Sequence, residues 1–254
     1  MSAGFAGRVA VVTGAAGDIA RLAAQRLAAE GATVWAVDLA FAEPSEEAVG
    51  AGRIIRRRLD VTDSAAVAEL FAEVARTTGP ATLLLNAAGG PGSRRAPVEE
   101  IGDEDWHRVV ALNLDAVFYC VREATRWIKD AGLQGSFVII SSGAGRTSSR
   151  TGVQAYGAAK AGAIGLTRQL AREVGKHGIR VNCIAPGLVE VEGIRAEIES
   201  IPPAAMEQHL SNVALGRLGR PADLTGPILF FLGEDAAFVT GQTISVDGGS
   251  IMLG

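Results

Sequence analysis

Residues 8–38 spell one complete crossover unit, and that unit narrows the folds open to the chain. Arg8-Val9-Ala10-Val11-Val12 is a short, apolar, β-branched run that reads as a buried strand. It breaks at Thr13-Gly14-Ala15-Ala16-Gly17-Asp18. From Ile19 the apolar residues Ile19, Ala23, Leu27 and Ala28 recur on one helical face, and Gly31 stops the helix. Residues 33–38 form a second strand ending in Asp38. Strand, turn, helix and strand within about 30 residues make a βαβ unit, which requires a parallel pair.

The alternation continues to the end of the chain. Strands are expected at 54–59, 83–85, 137–140, 179–184 and 243–246, with helices near 65–76, 103–129, 153–178 and 222–232. Asp63 is placed to cap the first of these helices. Residues 188–220, with Pro202 and Pro203, show no clear strand. The pattern predicts an α/β fold: a doubly wound, Rossmann-like parallel sheet of about seven strands with helices on both faces. No linker divides it, so residues 1–254 read as one domain, with 188–220 as a lid. In such sheets ligands gather beyond the carboxyl ends of the strands.

Composition removes several alternatives. Of 254 residues 48% are hydrophobic, enough for a large core. A net charge of −4 leaves no basic footprint for nucleic acid. The run Arg56-Arg57-Arg58 is short, lies in a strand and reads as structural or solvated. Cys120 and Cys183 lack metal-ligand spacing and read as reduced core thiols, and His107, His177 and His209 form no ligand set, so no metal site is expected. No apolar run is long enough to span a membrane, and the N-terminus runs straight into a strand without a signal-peptide pattern. A cytoplasmic protein is expected.

Two groups of residues point to chemistry. Tyr156 and Lys160 lie four apart on a helix, on one face. A phenol titrates near 10, and an adjacent ammonium would lower that value toward useful acid/base range. The other group is the first turn. Gly14 and Gly17 allow close backbone approach, and the helix start at Asp18 and Ile19 attracts a pyrophosphate. Asp38, at the end of the second strand, can accept hydrogen bonds from ribose hydroxyls and would repel a 2′-phosphate. No positive charge stands at Gly17, Leu39 or Ala40, so NAD(H) is expected and NADP is disfavoured. Asp60 and Val61 would meet the adenine, and Asn86, Ala88 and Gly89 end the central strand where a small-residue loop can approach the cofactor.

Together these motifs resemble the short-chain dehydrogenase/reductase family over essentially the whole chain. The resemblance rests on Thr13-Gly14, Asn86-Ala87-Ala88-Gly89, Asn113, Ser142, Tyr156-x-x-x-Lys160, Pro186-Gly187 and Val246-Asp247-Gly248-Gly249. It implies that Tyr156 is the general acid or base for a carbonyl or alcohol oxygen. Lys160 would lower the Tyr156 pKa and bind the nicotinamide ribose, Ser142 would orient the substrate oxygen, and Asn113 would hold a water of a proton relay. Pro186, Gly187 and Val189 would line the nicotinamide. The substrate would be a small alcohol or ketone, and the assembly a homotetramer. Ser141 is an equally good hydroxyl by chemistry, and family spacing favours Ser142.

Four positions depart from the common family pattern: Asp18 and Ala20 replace glycines, Ala87 an asparagine and Val191 a threonine. An Asp beside a pyrophosphate repels it unless the side chain points away or serves the helix N-terminus, and Gly17 could supply the lost flexibility. The alternative function is a dinucleotide-binding regulatory protein with little turnover. An epimerase is disfavoured, because the chain lacks room for a separate substrate domain. Ile194, Ile198, Ile201 and Met206 could line an apolar pocket, and the loop Ser93-Arg94-Arg95 could meet an anionic substrate.

Overall fold

A computed structural model describes residues 4–92, 95–148 and 152–252. Eight strands form one sheet: β1 (Val9–Thr13), β2 (Thr33–Asp38), β3 (Ser45–Val49), β4 (Gly52–Arg58), β5 (Leu83–Asn86), β6 (Gly135–Ile140), β7 (Ile179–Pro186) and β8 (Thr243–Val246). Their order is β3-β4-β2-β1-β5-β6-β7-β8, parallel throughout except for β3. Chain direction across the sheet reverses between β1 and β5, which pair from Ala10↔Leu83 to Thr13↔Asn86. The crevice above that reversal is where such sheets take ligands.

The helices follow from the same periodicities. On one face lie α2 (Ser64–Thr78), α4 (Ala116–Asp130) and α6 (Gln154–Val174), burying Trp35, Phe71, Ile128 and Phe137. The other face is covered by α1 (Asp18–Ala29) and α9 (Pro221–Leu232), whose Leu27, Ile228 and Phe231 pack on Val12, Val34 and Leu85. Each fully buried Leu, Ile or Phe contributes about 1.5–3 kcal/mol. The inner strands β1, β5 and β6 are buried along their whole length, which is why they read as unbroken apolar runs. Asp63 caps α2 as expected, accepting from the Ala65 and Ala66 amides.

Two expectations are refined. The sheet of about seven strands has eight. The extra strand, β3, is polar and exposed, and a two-residue turn at Gly50-Ala51 folds it back on β4. Its Glu46 and Glu47 pair with Arg53 and Arg56, so cross-strand charge supplies what apolar alternation does not. The helix expected at 103–129 is also not continuous. It divides into α3 (Asp103–Val110), a π-turn at Ala111–Asp115 and α4. As expected, segment 188–220 holds no strand beyond an isolated bridge; it carries α7 (Arg195–Glu199) and α8 (Pro203–Ser211). Its two ends close on each other through the Val189↔Gly219 bridge.

Candidate active site

Strand β6 delivers two serines to the carboxyl edge, and the structure separates them. Ser141 is buried and its hydroxyl donates to the Lys160 carbonyl at 2.9 Å, pinning α6 to the strand. Ser142 has extended backbone and starts the short helix α5 (Gly143–Arg146), its Oγ accepting from the Ala144 amide at 3.2 Å. Ser142 is the serine that hydrogen-bonds the Tyr156 hydroxyl. One turn beyond, Lys160 is only 3% exposed. Its Nζ donates to the Ile140 carbonyl at 2.9 Å and lies 5.6 Å from the Tyr156 ring centroid. Gly145 lets this corner close, since a Cβ there would stand 2.6 Å from the Lys160 carbonyl carbon.

Burial governs both titrating groups. It raises the Tyr156 pKa above its ordinary value, and the Ser142 hydrogen bond pulls the other way. It lowers Lys160 to about 8. The expectation that Lys160 lowers the Tyr156 pKa is therefore not met in this structure. The ammonium is held under the ring by the Ile140 carbonyl, and desolvation of the phenolate outweighs its effect.

Asn113 occupies the π-turn and is fully buried. Its Nδ2 donates to the Gly90 carbonyl at 2.9 Å and to the Val109 carbonyl at 2.8 Å, while its Oδ1 accepts from the Gly90 amide at 3.1 Å. Both donors are thus committed to backbone, leaving one Oδ1 lone pair and the main chain for a water. Gly89 sits between this side chain and Lys160. A Cβ there would lie 2.7 Å from Asn113 Oδ1 and 3.0 Å from Lys160 Nζ.

The first turn is held to the central strand by a residue the sequence reading had only as part of a motif. Thr13 Oγ1 accepts from the Ala87 and Ala88 amides at 3.1 and 3.2 Å, which ties the loop after β5 to the first turn through backbone that does not depend on the side chain at 87. Gly14 has φ of 69°, and a Cβ there would lie 2.7 Å from the Ala88 nitrogen. No other residue fits. Gly17 is different: its φ is −74°, ordinary extended backbone, so it does not supply the flexibility expected of it. Ala20 is buried in the core, and close helix–sheet packing survives it. Ile19 and Val191 each pack, partly buried, against that same core.

Asp18 turns away from the turn. Its carboxylate accepts from the Glu192 amide at 2.8 Å and pairs with Arg21 at 2.9 Å. The Glu192 amide and Arg21 hold its pKa below the ordinary value. Asp38 stays at the turn, accepting from the Ala16 amide at 3.1 Å and the Ala40 amide at 2.9 Å. Strand pairing also sets Arg58 opposite Asp38, a cation that the linear sequence does not place there. Asp60 bonds Thr62 in a tight turn beside buried Val61. Asn86 is buried with its Nδ2 unpaired among the described residues. At the end of β7, Pro186 pairs with Val246, Gly187 lies against Asp247, whose Cβ is 2.8 Å from where a Gly187 Cβ would stand, and Val189 is buried.

A nicotinamide dinucleotide fits this surface. Bare glycines let the turn at Gly14 close on the Ala88 backbone and Gly89 close on Asn113 and Lys160, α1 begins directly after that turn, and the Asn86 amide at the end of β5 is unpaired among the described residues. Of the residues expected to line an apolar pocket in 188–220, Ile198 and Met206 do line a cleft, together with Leu210 and Leu218. Arg95 ion-pairs with Glu197, and Ser93 and Arg94 lie outside the described residues. Arg56 pairs with Glu47, and Arg57 pairs with Glu73 while stacking 5.0 Å from the Trp35 ring centroid, which accounts for two of the three arginines. No group of three or more potential metal ligands occurs among the described residues, and no described helix is long and apolar enough to cross a membrane.

Comparison with known proteins agrees with this layout. Residues 14–250 match the family described as enoyl-(acyl carrier protein) reductase. The chain is 36% identical over 251 residues to the 3-oxoacyl-[acyl-carrier-protein] reductase FabG of Thermotoga maritima, covering 97% of this chain and 98% of that protein. It is 33% identical over 256 residues to the (3R)-3-hydroxyacyl-CoA dehydrogenase of Canis lupus familiaris, covering 96% of each. A crystal structure of a protein from Agrobacterium tumefaciens, described as a 2-deoxy-D-gluconate 3-dehydrogenase with bound NADP, superimposes with a TM-score of 0.86 at 30% identity, over 97% of both chains. The chain belongs to the short-chain dehydrogenase/reductase family of oxidoreductases.

Proposed function

We propose that this protein transfers a hydride between NAD(H) and a secondary alcohol or ketone, with Tyr156, Ser142, Lys160 and Asn113 as its catalytic set. The observation that carries this reading is the Tyr156–Ser142 hydrogen bond above a buried, backbone-anchored Lys160. A phenol kept neutral by burial donates its proton to a carbonyl oxygen, or accepts one from an alcohol in the reverse direction. The Ser142 hydroxyl positions that oxygen. Lys160 stands where a proton lost from Tyr156 can be replaced, and Asn113 fixes the Gly89-Gly90 backbone beside it. The nicotinamide, when bound, supplies or takes the hydride. Gly14, Gly17, Asp18, Ile19, Asp38, Asp60, Val61, Asn86, Ala88, Gly89, Pro186, Gly187 and Val189 would hold the cofactor, together with Tyr156 and Lys160.

Asp38 supports NAD(H) over NADP(H), because its carboxylate sits at the turn where a 2′-phosphate would have to lie. Arg58 opposite it and the NADP-bound relative favour the other cofactor, so the preference is the sharpest point to test. A panel of ketones and secondary alcohols, followed by NADH and NADPH absorbance, is expected to show turnover with NADH favoured. Asp38→Ala should narrow that preference by roughly tenfold, the effect of one unscreened charge pair. A wild-type preference for NADPH would show that Arg58, not Asp38, sets the site. NADH binding without turnover of any substrate would favour the dinucleotide-binding regulator instead. A homotetramer in the cytoplasm completes the proposal.

A further inference from the structure

Helix α5 starts at Ser142 and is only four residues long. A helix this short does not hold itself, so its place comes from what it touches. At its first residue, a Gly143 Cβ would stand 3.1 Å from Ile251 Cδ1, in the tail beyond β8. At its last residue, the Arg146 side chain crosses to β8. Its Nη1 donates to the Thr243 carbonyl at 3.2 Å and to Ser245 Oγ at 3.0 Å. Strand β8 stands at the end of the sheet order. The Gln242 and Val246 carbonyls accept from the Cys183 and Gly187 amides, so alternation turns the Thr243 carbonyl toward the open edge, and Arg146 is the donor it finds there. The guanidinium is part-buried and has no carboxylate partner among the described residues. Its contacts therefore tie α5 to the strand and compensate no charge.

We propose that Arg146 is a positioning residue for hydride transfer: by tying the end of α5 to Thr243 and Ser245, it fixes the Ser142 hydroxyl against that of Tyr156. The inference rests on the oxidoreductase reading and adds to it a residue that acts only through Ser142. Ser142 Oγ accepts from the Ala144 amide, so a shift of the helix carries the hydroxyl with it. Gly145 backs the middle of α5 onto the Lys160 main chain, which leaves its two ends to Ile251 and Arg146. Only the Arg146 end is held by directional bonds. Displacing a reacting group by about 1 Å costs up to about 10²-fold in rate.

The test is a double-mutant cycle between Arg146 and Ser142. It is read as kcat for oxidation of cyclohexanol, 2-butanol or 2,3-butanediol, whichever wild type turns over fastest, with NAD⁺ and with NADP⁺. Arg146→Met should lower kcat by about 10- to 10²-fold while the cofactor KM stays within about threefold. Ser142→Ala should lower kcat at least as far. Adding Arg146→Met to Ser142→Ala should then cost less than about threefold, because the hydroxyl it positions is gone. If Arg146→Met does not fold, Ser245→Ala removes one of the two acceptors. It should lower kcat by roughly two- to fivefold in wild type and leave Ser142→Ala unchanged. Effects that multiply in either cycle, a cofactor KM that worsens in step with kcat, or an Arg146→Met kcat within about threefold of wild type overturn the inference and leave the hydride-transfer reading standing. No turnover of any alcohol or ketone by wild type overturns both.

Discussion

Lys160 is 3% exposed and bound to the strand behind it, whereas the Asp18 side chain is 25% exposed and reaches across 174 residues of sequence to the Glu192 amide. The two charges stand at opposite ends of one crevice and are built on different principles. Around Tyr156, each described side-chain hydrogen bond of Ser141, Lys160 and Asn113 runs to a backbone carbonyl or amide of β6, α6, the loop after β5 or the turn before the π-bulge. Such partners cannot swing away, and burial strengthens each bond. Around Asp18 and Asp38, partners are loop amides and an exposed arginine, open to water and salt. On the proposed function, proton handling is thus rigid, while cofactor entry is left adjustable.

The largest expected effect tests the rigid end. Tyr156→Phe should lower kcat by about 10³-fold or more, since general acid catalysis is worth roughly 10²–10⁴. NADH binding, read by fluorescence titration, should change less than about threefold. Turnover near wild type would break the comparison at its root. Loss of NADH binding together with turnover would mean that the two ends are one coupled unit.

The next comparison lies inside the turn. Gly14→Ala places a Cβ against the Ala88 backbone at φ of 69° and should destabilise by roughly 2–4 kcal/mol in urea denaturation. Gly17→Ala has φ of −74° and a nearest contact of 3.3 Å, and should stay within about 1 kcal/mol of wild type. Equal losses at both positions would show that the turn is strained throughout.

That pair of glycines also shows how far the sequence carries. Gly14 follows a strand, and the linear pattern identifies it as the residue of close approach. Gly17 looks equivalent on paper, yet only three-dimensional packing distinguishes them. The parallel sheet and the placing of Tyr156 and Lys160 on one helical face were legible because apolar runs and helical spacing are local properties, whereas Ser142 came only with the family resemblance. What stayed hidden depends on pairing between distant segments. Strand β3 gains its register from Glu–Arg pairs with β4. Arg58 meets Asp38 through strand register, and Asp18 finds Glu192 through the return of the chain over the crevice. The π-turn at Asn113 was hidden for another reason: the apolar period of a helix survives one inserted residue, while the Val109 carbonyl exchanges its partner for a side chain.

A third test uses the titration of Lys160. Its pKa is lowered from 10.5 to about 8 by burial, so between those values the unfolded chain carries a proton that the folded protein lacks. Stability from this group is therefore present in full above 10.5 and lost as pH falls through about 8. Over pH 8 to 10.5 wild type should gain stability relative to Lys160→Met, measured as urea midpoints. The buried thiol Cys120, raised by burial, opposes this trend equally in the two proteins and cancels, whereas Cys183, raised by burial and lowered by Lys160, loses that neighbour in the variant and adds to the difference in the same direction. A flat difference would mean that Lys160 is more hydrated than its burial indicates, and the contrast with the open end would weaken.

The smallest expected effect lies at Asp18. Its carboxylate, held below the ordinary pKa, is ionised at neutral pH, and the bond to Glu192 is lost only as pH falls through the acid range. Removing it in Asp18→Ala frees one exposed amide and one exposed arginine, an interaction of about 1 kcal/mol or less after solvent screening. Global stability should then barely move. Hydrogen exchange should instead quicken across 190–211, the part of the proposed lid that this single bond ties to α1. The KM for NADH should shift by less than about threefold, because lost lid anchoring and removed negative charge beside the pyrophosphate act in opposite directions. Asp18→Asn separates the two: it keeps an acceptor for Glu192 and discards the charge, so it should leave exchange near wild type and tighten NADH binding. If exchange is unchanged in both variants, the segment is held by Val189↔Gly219 and Arg95–Glu197 alone, and Asp18 is then an ordinary first-turn acid rather than the link between cofactor turn and lid.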